Sequence, residues 1–185
     1  MTKLILVKYC QTCWNKENRL QGAVNIPLNS EGIKEARKIS DELRGFDIEG
    51  LYSGSTLCSV STANEIAKPR KVKVKKISEL NELNHGVWQG LYMKDIKKRY
   101  KKQYSIWKTS PVSGCLPQGE TMSKAYDRAV SAVHKIIDRH KGEDVCIVSG
   151  SVILSLIKCN FRNIDLTNIW KAALDKKTWE AIDLE

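Results

Sequence analysis

The chain has 185 residues, 42% of them hydrophobic and 28% charged, with 31 basic against 21 acidic side chains for a formal charge of +10. That length suits one domain of ~150 residues or slightly more with a real core, and the composition is that of a globular protein, not a disordered one. No apolar run approaches the ~18 residues of a membrane span, so no membrane partner is expected.

The apolar start Leu4 to Val7 is too short for the core of a signal peptide and reads as a buried strand, which gives a cytoplasmic expectation. Six cysteines in such a chain are expected as reduced thiols, with no disulfide framework. The basic excess would attract anionic small molecules. Much of it sits in Lys94, Lys97, Lys98, Arg99, Lys101 and Lys102, a run that coats a helix, and no nucleic-acid motif accompanies it. No specific nucleic-acid partner is expected, and a homo-oligomer stays open.

In chain order, Lys3 to Lys8 is a strand that enters a long loop. Ser30 offers an N-cap for a helix through Leu43, closed by Gly45, with Ile33, Ala36, Ile39, Ser40 and Leu43 on one stripe. Gly50 to Ser53 reads as a second strand and Thr56 to Lys68 as a helix that Pro69 stops. The alternation of Val72 and Val74 suggests a third strand. Helices are predicted over Tyr92 to Tyr104 and Thr121 to His140, then a strand over Asp144 to Ser149 and a further helix. Trp170 to Ala173 and Thr178 to Ile182 would supply a closing hairpin.

Strands alternating with helices predict an α/β three-layer sandwich with a mostly parallel central sheet, whose ligands sit at the carboxyl ends of the strands. The segments after Val7, Tyr52 and Val148 should therefore converge. With no repeat or linker, residues 1–185 read as a single domain with a helical insertion around 88–120.

Several motifs carry a resemblance across nearly the whole chain: LILVKYCQTCWN from Leu4, RLQG from Arg19, IPLNSEG from Ile26, LYSGSTLCSVSTA from Leu51, LNELNHGVWQG from Leu80, QGET from Gln118 and VSG from Val148. Together they resemble the histidine phosphatase superfamily, phosphoglycerate mutase-like members included. In that family the first strand ends in Arg-His-Gly-Gln/Glu-Thr, and two arginines and two histidines hold a phosphoryl group while one histidine attacks it.

The resemblance places Lys8 at the first arginine, Tyr9 at the nucleophilic histidine, Cys58 at the second arginine and Gly150 at the second histidine. Glu82 matches the acid/base carboxylate. A lysine lacks the bidentate fork of arginine, and a tyrosine is almost wholly neutral near pH 7. The resemblance thus implies a phosphoglycerate mutase-like fold that has lost phosphohistidine chemistry.

The unusual residues gather at one pocket, with Cys10 where the family has glycine, Cys13 in the next loop, and Gln118 where glycine is usual. Such clustering suggests an engineered variant with a redesigned site. The alternatives are a natural pseudophosphatase that binds an anionic ligand or partner, and a weak residual phosphatase.

Candidate catalytic residues are Cys10, Cys58, His85, Glu82, Lys8 and Tyr9. Candidate ligand-binding residues are Cys13, Asn15, Gly150, Ser149 and Gln118, around a small molecule in the former phosphate pocket. A thiolate at Cys10 beside Lys8, or at Cys58 near a helix N-terminus, would be a nucleophile that His85 and Glu82 assist; small apolar packing is the bland alternative. Cys10, Cys13 and Cys58 could instead meet as three soft metal ligands, and Lys8 with Tyr9 could support Schiff-base chemistry. Neither a resident metal nor a cofactor is expected.

His134 reads as a residue inside a helix and His140 as one at its end, and Cys146 and Cys159 as buried. Cys115 reads as an exposed loop residue. Trp14, Trp88 and Trp107 either wall a pocket or pack in the core.

Overall fold

The computed structural model describes residues 2–114, 116–174 and 178–184. Leu4, Ile5, Leu6 and Val7 are fully buried in the strand β1 (Thr2–Lys8), and successive side chains enter opposite cores. At ~1.5–3 kcal/mol per fully buried aliphatic side chain, this tetrad fixes β1 as a central strand. A four-residue helix α1 (Cys13–Lys16) follows, then α2 (Ser30–Glu42), β2 (Ile48–Ser53), α3 (Leu57–Ala67) and a short β3 (Val74–Lys76). After two 3-10 turns come α4 (Met93–Arg99), α5 (Lys101–Thr109), α6 (Met122–Arg139), β4 (Asp144–Ser149) and α7 (Ser151–Phe161). A 3-10 segment, Leu166–Ala172, leads towards β5 (Trp179–Leu184).

The sheet order is β3-β2-β4-β1-β5, parallel throughout except for β5, which runs antiparallel to β1. Leu4, Leu6, Val145 and Ile147 face α6 and α7 on one side. Ile5, Val7, Cys146 and Val148 face α2 and α3 on the other. The fold is thus an α/β sandwich with a mostly parallel sheet between two helical layers. A third apolar cluster of Trp88, Ile96 and Leu116 anchors α4 and α5. No helix among the described residues is long and apolar enough to cross a membrane.

Four details differ from the sequence expectations. Asn29, not Ser30, caps α2, its side chain accepting from Gly32 N at 2.8 Å. The helix expected over Tyr92 to Tyr104 breaks at Tyr100 and resumes through Thr109. Val72 lies outside β3. No hairpin closes the chain, because Trp170 to Ala172 belong to the 3-10 segment and β5 pairs with β1 instead. Cys115 lies outside the described residues.

His140 caps α6, with Nε2 3.0 Å from the Tyr52 hydroxyl and Nδ1 2.6 Å from Glu143 Oε2. Cys146 and Cys159 are buried, and burial pushes their thiols up to about 12 and about 11.

The start of α2 fixes the loop that leaves β1. Asn29 N donates to Gln11 O at 3.0 Å and Asn29 Nδ2 to Gln11 Oε1 at 2.9 Å. Gly32 permits this approach, since a Cβ there would stand 2.1 Å from Gln11 O. Overpacking against backbone costs ~1–3 kcal/mol, so Gly32→Ala should destabilise the protein by about that much in urea denaturation. Unchanged stability would contradict this account of the docking.

Candidate functional site

The carboxyl ends of β1, β2 and β4 meet as expected, with Tyr9 N donating to Ser149 O at 2.9 Å and Gly54 N to Val148 O at 3.0 Å. Beyond β1, Thr12 and Asn15 form a capping box: Asn15 N donates to Thr12 Oγ1 at 3.2 Å and Thr12 N to Asn15 Oδ1 at 3.0 Å. The Thr12 hydroxyl continues to Gln21 Oε1 at 2.6 Å, and Gln21 Nε2 donates to Cys58 Sγ at 3.3 Å. Thr56 Oγ1 lies 3.4 Å from the same sulfur.

Tyr9 is buried at the base of this network. Burial, then the charges of Glu82 and Cys58, raise its phenol well above the ordinary tyrosine value, against a hydrogen bond with Asn15. Lys8 is exposed beside it, with no ion pair among the described residues.

Glu82 is buried and serves the N-terminus of α7. Its Oε1 accepts from Leu83 N at 2.8 Å and Ile153 N at 3.2 Å, and its Oε2 from Val152 N at 3.0 Å. The first N–H groups of a helix have no partner within it, and a carboxylate there satisfies both hydrogen bonding and the helix dipole. Burial raises the Glu82 carboxyl all the same, while the three backbone N–H groups and Lys8 pull it down. The position is available because residue 150 is glycine: a Cβ on Gly150 would come 2.1 Å from Glu82 Oε2. Ser149 turns away, its hydroxyl donating to Leu80 O at 2.6 Å.

Lys8, Tyr9, Asn15, Glu82, His85, Trp107 and Trp170 share the lining of one cavity of ≈ 180 Å³. His85 is only 2% exposed, and burial lowers its imidazole to about 4. Its ring meets Trp107 edge-on at 5.7 Å, and Trp107 lies 4.5 Å from Trp170. His85 Nδ1, Trp107 Nε1 and Trp170 Nε1 are buried without a hydrogen-bond partner among the described residues.

The remaining candidates fall elsewhere. Cys10 and Cys58 belong to the buried cluster under α2 and α3. Burial pushes Cys10 up to about 12 and raises Cys58 as well, so neither is held as a thiolate near neutral pH, contrary to the expectation of an activated nucleophile. The Thr62 hydrogen bond and the proximity of Lys8 at Cys10, and the hydrogen bonds of Thr56, Gln21 and Ser59 at Cys58, are too weak to offset desolvation. His85 packs against Trp107 and makes no hydrogen bond to a cysteine among the described residues.

Cys13 is exposed while Cys10 and Cys58 are buried, and no group of three metal-binding side chains forms among the described residues, so the three thiols do not gather as a soft-metal set. Gln118 is exposed at φ 57° and does not line the cavity. Of the tryptophans, Trp107 walls the cavity, Trp88 packs in the third cluster and Trp14 lies against Gly90. Trp170, read as a strand residue, and Arg19 and Gln21, present in the RLQG motif, also line it.

The model of the histidine phosphatase superfamily (branch 1) matches residues 4–185. The chain belongs to that superfamily. It is 28% identical to phosphoserine phosphatase 1 of Hydrogenobacter thermophilus over 185 residues, covering 100% of this chain and 88% of that one. It is 31% identical over 160 residues to the metal-independent phosphoserine phosphatase of Arabidopsis thaliana, covering 85% and 67%. Among solved structures, Bacillus stearothermophilus YhfR superposes with a TM-score of 0.90 at 25% identity, over 100% of this chain and 92% of the other. A mycobacterial glucosyl-3-phosphoglycerate phosphatase in complex with VO3 has the same fold, with a TM-score of 0.90 at 17% identity over 98% and 92%.

Two outcomes follow for this histidine phosphatase fold. Gly150→Ala should cost about 2–3 kcal/mol by driving the Glu82 carboxylate off its N–H groups, and much less when Glu82 is already alanine. Equal cost in both backgrounds would contradict the assignment of Glu82 as the α7 cap. The unfolded chain takes up the His85 proton near 6.5 and the folded chain near 4. The stabilisation from a neutral His85 is therefore complete above pH 6.5 and lost as pH falls through that window. At ~1.4 kcal/mol per pKa unit, the wild type should lose on the order of 3 kcal/mol more than His85→Phe between pH 7 and 4, measured by urea denaturation. Parallel losses in the two proteins would overturn it.

Proposed function

We propose that the chain is a ligand-binding member of the histidine phosphatase superfamily without phosphohistidine chemistry. The observation that carries the reading is the Glu82 carboxylate, held by three backbone N–H groups in the space that any side chain on residue 150 would need. By the family pattern that side chain is the second histidine. Tyr9 stands in the place of the nucleophile, buried and kept neutral, and Cys58, kept neutral too, in that of the second arginine. Lys8 alone keeps a charge.

A phosphoryl group carries two negative charges and needs positive groups already in position. Here it would meet the exposed Lys8 ammonium, an Arg19 guanidinium already paired with Glu17, and a buried carboxyl. Removing a single electrostatic donor costs ~10²- to 10³-fold in rate, and the set acts as a unit, so no useful phosphatase rate is expected. The raised thiols tell equally against a cysteine-dependent hydrolase. The clustering of replacements, which suggests an engineered variant on sequence alone, is accounted for by a pocket that keeps a ligand and gives up a reaction. The names of the relatives refer to small phosphorylated molecules. This reading retains the small molecule and drops the phosphoryl transfer.

The test is a parallel assay of p-nitrophenyl phosphate and p-nitrophenyl acetate on the purified chain. Neither should be cleaved faster than in matched buffer. Phosphate turnover that Tyr9→Phe abolishes would refute the proposal, and acetate turnover lost in Cys10→Ala or Cys58→Ala would restore the thiol reading.

A further inference from the structure

The positive charge of the chain is concentrated, not spread. Residues 93–109, which form α4 and α5, carry seven basic side chains from Lys94 to Lys108 against Asp95 alone, a net +6 of the chain's +10. All seven are exposed, and none of their side chains forms an ion pair or a hydrogen bond among the described residues. The apolar side chains of the same helices, Met93, Ile96, Tyr100, Tyr104 and Trp107, pack inward on Trp88 and Leu116, so the cations hold the outward face.

This placement works against the fold. Lys94 stands one turn from Lys97 and Lys98, a spacing at which like charges repel. Lys101 and Lys102 open α5, where the helix dipole is already positive and no acidic side chain opposes it. A surface that serves solubility alone intersperses both signs. Three of the ammonium groups lie over rings, Lys94 at 5.5 Å from Tyr92, Lys97 at 5.7 Å from Tyr104 and Lys108 at 5.2 Å from Trp170. Such contacts orient a cation without cancelling its charge. The second basic run, Arg70 to Lys76, is differently employed: Arg70 donates to Ile66 O at 2.6 Å, Lys75 to the Tyr52 hydroxyl at 3.3 Å, and the lysines of β3 guard an edge strand against pairing.

We propose that the outward face of α4 and α5 binds the phosphate backbone of a nucleic-acid duplex without reading its sequence. A duplex carries one negative charge per ~1.7 Å of its axis, and the two helices, roughly 10 and 13 Å long, extend over several phosphates. A single strand is held by stacking its bases on exposed rings, whereas Tyr92, Tyr100, Tyr104 and Trp107 are half-buried. A membrane surface takes up the apolar face of a helix, and here that face is packed inside. A protein partner needs a pocket for an anchoring side chain, and none of the seven cations lines any of the four main cavities of the described residues. The face is separate from the cavity behind Trp107, so the inference is independent of whether that cavity turns over a substrate.

The test is fluorescence anisotropy of a labelled, mixed-sequence DNA duplex of about 20 base pairs, titrated with the full chain at several salt concentrations. The Kd should be about 10 µM or tighter at about 50 mM salt, the same for an unrelated sequence, with log K falling against log salt at a slope of about −4 or steeper. Lys98→Gln, Lys101→Gln and Lys102→Gln together should weaken binding at least about tenfold and make the slope shallower by about 3. Lys71→Gln, Lys73→Gln and Lys76→Gln together remove the same charge and should weaken it by less than about threefold. A readout on the wild type covers the case of variants that do not fold: the duplex should protect Lys98, Lys101 and Lys102 from acetylation, read by mass spectrometry, and leave Lys71 and Lys73 reactive.

No binding up to about 100 µM protein, a slope shallower than about −2, or equal losses in the two triple variants would each overturn the inference. Tighter binding of a single strand, of polyglutamate or of phosphatidylserine vesicles than of the duplex would overturn it as well, in favour of that other partner.

Discussion

The three hydrogen bonds that tie the Glu82 carboxylate to Leu83, Val152 and Ile153 join the loop before the helical insertion to the first turn of α7. A helix N-terminus at the carboxyl edge of a parallel sheet is where this architecture ordinarily receives an anionic ligand. Here a carboxyl group of the chain itself takes that place. The contact exists because Gly150 has no side chain to contest the space. It draws the Glu82 loop under the insertion, and with it the buried imidazole of His85 and the ring of Trp107.

On the proposed reading, a glycine at residue 150 changes what the neighbouring groups can do. With the α7 terminus satisfied internally, burial of Tyr9 costs no positive partner, and a neutral phenol is the form that burial favours. The chain from Thr12 through Gln21 to Cys58 pairs the polar groups that remain at the base. On the proposed reading, neutral, hydrogen-bonded residues fill the place where the family pattern has charge. Among the described residues, the buried side-chain polar atoms without partners are Ser53 Oγ at the end of β2, His85 Nδ1 and the indole nitrogens of Trp88, Trp107 and Trp170.

Much of this architecture is readable in the sequence. The LILV run, the Val-Cys-Ile-Val of β4 and the stripes on α2 and α6 specify central strands and flanking helices because their period matches the burial they need. The choice of Asn29 over Ser30 as cap depends on reaching Gly32 N while Gly32 packs on Gln11, a tertiary constraint that no local pattern carries. The apolar character of Trp170 to Ala173 gave no sign of a 3-10 segment, since short apolar runs do not separate helix from strand. In the site, Lys8, Tyr9, Asn15, Glu82 and His85 were all identifiable as pocket residues from the motifs around them. The thiols misled because a sequence gives proximity to Lys8 or to a helix start but not depth, and at Cys10 and Cys58 desolvation outweighs both. Trp170 is distant from every motif and reaches the cavity only through the path of the chain after α7.

The most direct measurement of the proposed closure of the phosphate site is vanadate binding followed by vanadium NMR on the purified chain. With Glu82 on the α7 terminus and a neutral phenol at Tyr9, the free vanadate signal should stay unchanged as protein is added. A bound vanadate resonance lost on substitution of Tyr9 or Lys8 would mean that the pocket still accepts a phosphoryl-like anion, and would contradict the central claim.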